Sequence, residues 1–270
     1  MPTQHAHRRT ARAVGILYLV ATAAGVLSFA VSASLTGADN LLHAVAAAPT
    51  RTSVVALLIM IMGISLAFIA ALMYPILRRQ NPAMAISYFV FRAALETAAS
   101  VTMALTWLLM IVVGNRYAGG TSNTSLGTDL SALLLDAQVP IAALESVVFC
   151  TGALILYTLL YQSRLIPRWL SGWGLIGAVV YLTAGILAIF GRDAGVLQAP
   201  LAIQEMVMAV WLIAKGFDQL DQLDQRDQLD QRDHGDGIPA RLSGSAQRTT
   251  GARDAPTASV VPITGDPSAN

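Results

Sequence analysis

Apolar residues gather into six long runs, at roughly 13–35, 53–77, 83–113, 138–161, 169–190 and 200–216. A hydrocarbon layer about 30 Å thick needs about 20 apolar residues of helix to cross it. Each run meets that need or comes close to it. The third is long enough to tilt or to extend past the membrane, and the sixth is at the short end of the spanning range. None alternates with the period of two expected of a transmembrane barrel strand. The pattern predicts an all-α, polytopic integral membrane helical bundle with six transmembrane helices. Polar residues flank this block on both sides. The expected organisation is an N-terminal segment over 1–12, a membrane domain over 13–217 and a polar tail over 218–270.

Orientation follows from the basic residues in the short connections. Arg8, Arg9, Arg12, Arg78, Arg79, Arg164, Arg168 and Lys215 fall on one side, while Arg51, Arg116 and Arg192 fall on the other. Cytoplasmic loops carry the excess of Lys and Arg, so both termini are expected in the cytoplasm. A basic start, an apolar run and small residues near Ser34 would also suit a secretory signal. The run is longer than the apolar core of such a signal, about 7–15 residues, so it is read as a span. Cleavage would leave five spans and the same orientation for the rest. The connection from Ala118 to Asp129 is rich in Gly, Ser and Thr and reads as a flexible external loop. Asn123, Thr124 and Ser125 within it match a glycosylation sequon, which matters only in a pathway that modifies such sites.

Composition agrees with the pattern. The chain is 55% hydrophobic and 12% charged, with a mean hydropathy of +0.59. Ordinary soluble domains carry about 25% charged residues. The net charge of +1 conceals a sparsely charged membrane block and a polar tail, so it does not point to a nucleic-acid partner. The partner that composition does imply is the lipid bilayer. Cys150 is the only cysteine, which rules out an intrachain disulfide. A lone thiol in an apolar run reads as a small buried hydrophobe.

The third run contains two opposite charges, Arg92 and Glu96. Counted from Ala83, they lie about 13 Å and about 20 Å deep, too deep to snorkel. Each central charge costs about 2.5–3.5 kcal/mol on insertion, a total the neighbouring apolar residues can offset. Once inserted, such charges face protein or water. A spacing of four puts both on one helix face. Two further acids lie inside runs: Glu145 in the fourth, and Glu205 in the sixth beside Gln204. The alternating directions of the helices bring Arg92, Glu96, Glu145, Gln204 and Glu205 toward similar depths, with Asp136 and Gln138 at the rim. Two readings follow. The cluster is a buried clamp that fixes helix packing, or it lines a polar cavity. One cation cannot neutralise three carboxylates, so at least one is then free to exchange protons or bind a cation.

The second half carries longer motifs. "LYQSRLIPRWLSGWGLIGAVVYLTAGIL" runs from Leu160 to Leu187 and "LAIQEMVMAVWLIAKGF" from Leu201 to Phe217. Together with "FRAALE" at Phe91 to Glu96, they resemble the bacterial membrane-protein family known as domain of unknown function 4386. The resemblance covers roughly Arg12 to Phe217. It implies a six-span bundle in a bacterial plasma membrane and assigns no biochemical activity. The same residues have a physical reading. Pro167 suits a helix start, and Trp169 and Trp173 suit the interface belt. Gly172, Gly174 and Gly177 suit close helix contact. Ala21, Gly25, Ser28 and Ser32 form a similar small-residue face on the first span. Lys215 and Gly216 suit the end of the last helix.

Several chemistries lack their residues. His5, His7, His43 and His234 lie outside the apolar runs, which leaves no intramembrane histidine pair for haem. Nucleotide loops and the HExxH zinc motif are absent. No catalytic residue, cofactor or metal is expected, and a non-enzyme is favoured. In the tail, Asp recurs every third residue from Asp218 to Asp236, offset only by Arg226 and Arg232. Like charges at that spacing oppose a helix, so the tail is expected to be disordered. The sequence leaves room for a homo-oligomer or for a protein partner at the tail. The first reading is a multi-pass membrane protein of unknown biochemical role with a buried Arg/Glu cluster. The alternative is a small proton- or cation-coupled transporter or channel with Glu145 and Glu205 as exchange groups. A third is a regulatory membrane protein acting through its tail.

Overall fold

A computed structural model describes residues 2–117, 124–192 and 194–217. Among them the regular structure is all helical, and six helices are long and apolar enough to cross a membrane. The spans are α1 (Pro2–Thr36), α3 (Pro49–Leu77), a third span described below, α7 (Gln138–Ser163), α8 (Arg168–Ile189) and α9 (Ala199–Ala214). The third span comprises α4 (Pro82–Phe89), a π-helical stretch at Val90–Leu95 and α5 (Glu96–Tyr117). Two shorter helices, α2 (Leu41–Ala47) and α6 (Thr124–Asp136), sit at the end of the bundle opposite the N-terminus.

The ends of these helices follow local chemistry. Asn40 and Asn81 cap α2 and α4, accepting from the backbone N–H of His43 at 3.2 Å and of Met84 at 3.1 Å. Pro82 then occupies the first turn of α4, where no N–H is needed. Arg164 ends α7 in a left-handed backbone conformation, φ 55°. Gly216, at φ 80°, follows Lys215 at the end of α9, as the sequence leads one to expect.

Three features differ from the sequence reading. The chain is already helical from Pro2, ahead of the apolar run that begins near 13. The expected loop over 118–129 is helical from Thr124, because Leu126, Leu130, Leu133 and Leu134 recur at helical spacing. The third span is not one uniform α-helix. The tail over 218–270 and the sequon at Asn123 lie outside the described residues.

The spans close into a ring in chain order. α1 packs on α3, α3 on α5, α5 on α7, α7 on α8, α8 on α9, and α9 returns to α1. Short connections make neighbours antiparallel. One end of the ring is basic, since Gly216 at the end of α9 lies against Arg8 of α1. Two apolar clusters fill the interior. The basic-end cluster includes Val14, Leu77, Leu160 and Leu212. The opposite-end cluster includes Leu35, Val55, Trp107 and Met110. Large apolar side chains such as Phe29, Ile176 and Val112 point outward, which suits a lipid-facing surface.

Close approach between helices rests on particular glycines. A Cβ at Gly15 would lie 2.6 Å from the backbone oxygen of Ala209, and one at Gly174 would lie 2.5 Å from the Tyr157 ring. One at Gly177 would meet Leu201 at 3.3 Å, whereas Gly172 has only Tyr161 at 4.0 Å. Backbone cannot yield as a side chain can. Gly15→Ala is therefore expected to destabilise the bundle by about 1–3 kcal/mol, while Gly172→Ala leaves it unchanged. Thermal unfolding in detergent checks this, and equal melting temperatures for the two variants would refute it.

Candidate functional site

Between the two apolar clusters the interior turns polar. Arg92 lies in the π-helical stretch and is 2% exposed, and Glu96, one turn on, is 3% exposed. The guanidinium Nη1 donates to Glu96 Oε2 at 3.1 Å and to Oε1 at 3.3 Å. Nη2 donates to Glu205 Oε1 at 3.3 Å, which ties the third span to α9 across the ring. Two rings cover the cation: Phe149 with its centroid 4.8 Å from Cζ, and Tyr18 at 5.8 Å. Cation–π contact of this kind strengthens where water is excluded.

The π-helical stretch shapes this arrangement. Such stretches are short, and they interrupt the regular α ladder by bonding i to i+5. Here it covers Val90 to Leu95 and carries Arg92 at its centre. α7 comes close at this point, since a Cβ on Gly152 would lie 3.3 Å from Phe91 Cβ and 3.9 Å from Arg92 N. α3 comes close one level further on. A Cβ on Gly63 would lie 2.8 Å from Ser100 Cβ, and Thr97 Oγ1 donates to the Gly63 carbonyl at 3.4 Å.

Glu145 is placed differently from the other two acids. It makes no ion pair with Arg92. Its neighbour is Ser100, whose hydroxyl lies 3.5 Å from Glu145 Oε1 and 3.1 Å from the Glu96 carbonyl. One hydroxyl proton serves one acceptor at a time, so this contact is weak. Glu145 is also only partly buried. Gln204 belongs to a separate bridge. The Tyr157 hydroxyl donates to Gln204 Oε1 at 2.7 Å, and Gln204 Nε2 donates to the Leu170 carbonyl at 3.0 Å. That bridge joins α7, α9 and α8. Asp136 closes α6 and Gln138 opens α7, about two turns from Glu145, so neither reaches the cluster.

The structure thus brings Arg92, Glu96 and Glu205 into direct contact and sets Glu145 beside them. Sequence reading missed Tyr18, Tyr88, Tyr157, Ser100 and Phe149. A signal for two of these was present: Tyr88, Arg92, Glu96 and Ser100 recur every four residues, a polar stripe on a span. Among the described residues, no three His, Cys, Asp or Glu side chains come together closely enough to hold a metal ion.

A family model matches residues 13–216, the whole ring of spans. The chain belongs to the family described as Domain of unknown function (DUF4386). No curated protein and no solved structure matches the chain. This family membership reaches from the first span to the last residues of α9, and so includes every member of the charge cluster.

Arg92 is held by two acids from two helices. Arg92→Gln removes the shared cation, and a broken buried pair costs about 3–5 kcal/mol. Folded yield of a fluorescent fusion on detergent size-exclusion should fall sharply for this variant. It should recover in the triple variant Arg92→Gln, Glu96→Gln, Glu205→Gln, which leaves no unpaired charge. A triple variant no better than the single one would show that the cluster is not a clamp.

Proposed function

We propose that this is an integral multi-pass protein of the bacterial plasma membrane, with both termini cytoplasmic, that exchanges protons at Glu145. It would act as a small proton-coupled transporter or channel. The distribution of Arg and Lys supports the orientation. The clamp and the exchange group are then different residues. Arg92, Glu96 and Glu205 hold the bundle together, and Glu145 is the acid left over.

One observation carries the reading: the guanidinium already serves Glu96 and Glu205, and Glu145 has only the Ser100 hydroxyl at 3.5 Å. An intramembrane carboxyl group that structure does not need is a functional group by default. With no cation paired to it directly, it can take up and release a proton as water reaches it. A proton suits the site better than a metal cation, since a hard cation needs about six or more oxygen ligands. Glu205, equal to Glu145 as an exchange group in the sequence reading, is here part of the clamp.

The test is proton flux in proteoliposomes with an enclosed pH-sensitive dye and an imposed pH gradient. Wild type should exceed empty liposomes. Glu145→Gln should fold normally and lose at least about tenfold of that flux, the scale of losing one proton-transfer group. Equal flux in wild type and variant, or none in wild type, would sink the exchange reading.

A further inference from the structure

We propose that the groove between α3 and α5 holds one phospholipid, with an acyl chain along the groove and the phosphate on Arg116. The groove is open to the outside of the ring and has a volume of about 370 Å³, within the range of ligand pockets, about 300–1,000 Å³. Ala56 and Ala104 form its floor, each 3% exposed. Leu57 and Met60 border it on α3, and Leu105 and Leu108 border it on α5. These leucines are exposed and project beyond the alanines. Ser53 is the polar residue in the lining, at the end nearest the start of α3.

The shape of the groove selects the occupant. A neighbouring helix, about 10–12 Å across, would rest on the projecting leucines and leave the floor uncovered. Close helix packing in lipid places small residues at the contact, and here the small residues are the recessed ones. A chain of methylenes is thin enough to reach the alanines. Each contact it makes there adds dispersion attraction that an unfilled groove forgoes.

The charge beyond one end of the groove indicates what the chain belongs to. Leu105, Leu108, Val112 and Arg116 follow at three- and four-residue spacing on one face of α5. Arg116 is exposed in the last turn of that helix, and no ion pair holds it among the described residues. Arg51, the cation at the start of α3, is turned toward α1, where its Nη1 donates to Ser34 Oγ at 3.4 Å. From Arg116 to Val101, the groove residue of α5 furthest from it, the helix rises about 22 Å. One leaflet with its headgroup layer is about 20–22 Å deep. A phosphate on Arg116 therefore lets an acyl chain of the same lipid run down to Val101. The planar fork of arginine suits that phosphate, since it can donate two parallel hydrogen bonds.

Photo-crosslinking of the full chain in phosphatidylglycerol vesicles tests the site. A trace of the same lipid carries a diazirine near the end of one acyl chain, and peptide mass spectrometry maps the adducts after irradiation. Residues 53–60 and 101–108 should carry at least about fivefold more adduct than Val179 and Ile186, which are exposed on α8, the scale of one cation's attraction near the membrane surface. Arg116→Gln should remove most of that excess. Labelling with a diazirine-bearing diacylglycerol, which has no phosphate, should remove it too. Ala104→Phe should fill the groove and lower adduct there alone; if that variant does not fold, Arg116→Gln, at an exposed position, carries the test. Adduct in the groove no greater than on α8 would overturn the proposal, as would equal labelling by the lipid without phosphate. A groove protected from label, together with a dimer on size-exclusion, would show that a second copy covers it and would also overturn the proposal. Proton flux enters none of these measurements, so their outcome is independent of the role of Glu145.

Discussion

A guanidinium in the middle of a hydrocarbon layer needs partners from the protein, and the shape of this bundle follows from how Arg92 finds them. Its two Nη groups reach acids on two helices, 113 residues apart in the chain for Arg92 and Glu205. Its faces are covered by aromatic rings from α7 and α1. Four helices are thereby committed to one point. The ring closes there as well, since the Arg92–Glu205 contact and the Gln204 bridge bond α9 to its neighbours beyond apolar contact with α1 and α8. In lipid such contact supplies little net drive, because the tails are as apolar as the side chains. The polar contacts and the glycine-permitted close approaches give the bundle its specificity.

The interior is consequently layered. Apolar clusters occupy the two ends, and a band of Arg92, Glu96, Ser100, Glu145 and Glu205 lies between them. Small residues line the same band, with Gly63 on α3 and Gly152 on α7 bringing backbones close to the third span. Glu96 and Glu205 bond to Arg92, while Glu145 stands beside Ser100 without an ion pair.

The architecture was largely legible in the sequence because hydrocarbon thickness fixes helix length. Six runs of the right length can hardly be anything else. The pairing of Arg92 with Glu96 was legible from spacing, and the approach of Glu205 and Glu145 from the alternating helix directions. Other parts were not. Whether Arg92 reaches Glu205 or Glu145 depends on which helices are neighbours in the ring, and local periodicity does not encode that. The π-helical stretch leaves no signature in FRAALE, whose residues all suit an ordinary α-helix. The helix at Thr124–Asp136 was hidden because Gly, Ser and Thr near its start outweighed leucines spaced as on a helix.

The π-helical stretch also sets the phase of the third span. A wide turn holds one more residue than the α turn it replaces. Each residue of an α-helix turns the chain by about 100°. Deleting one residue between Val90 and Leu95 would restore a plain helix and rotate everything from Glu96 to Tyr117 by that angle relative to Tyr88. Glu96 and Ser100 would then face away from α9 and α7. The surplus residue thus acts as a vernier, aligning the acidic half of the span with the aromatic half that begins it.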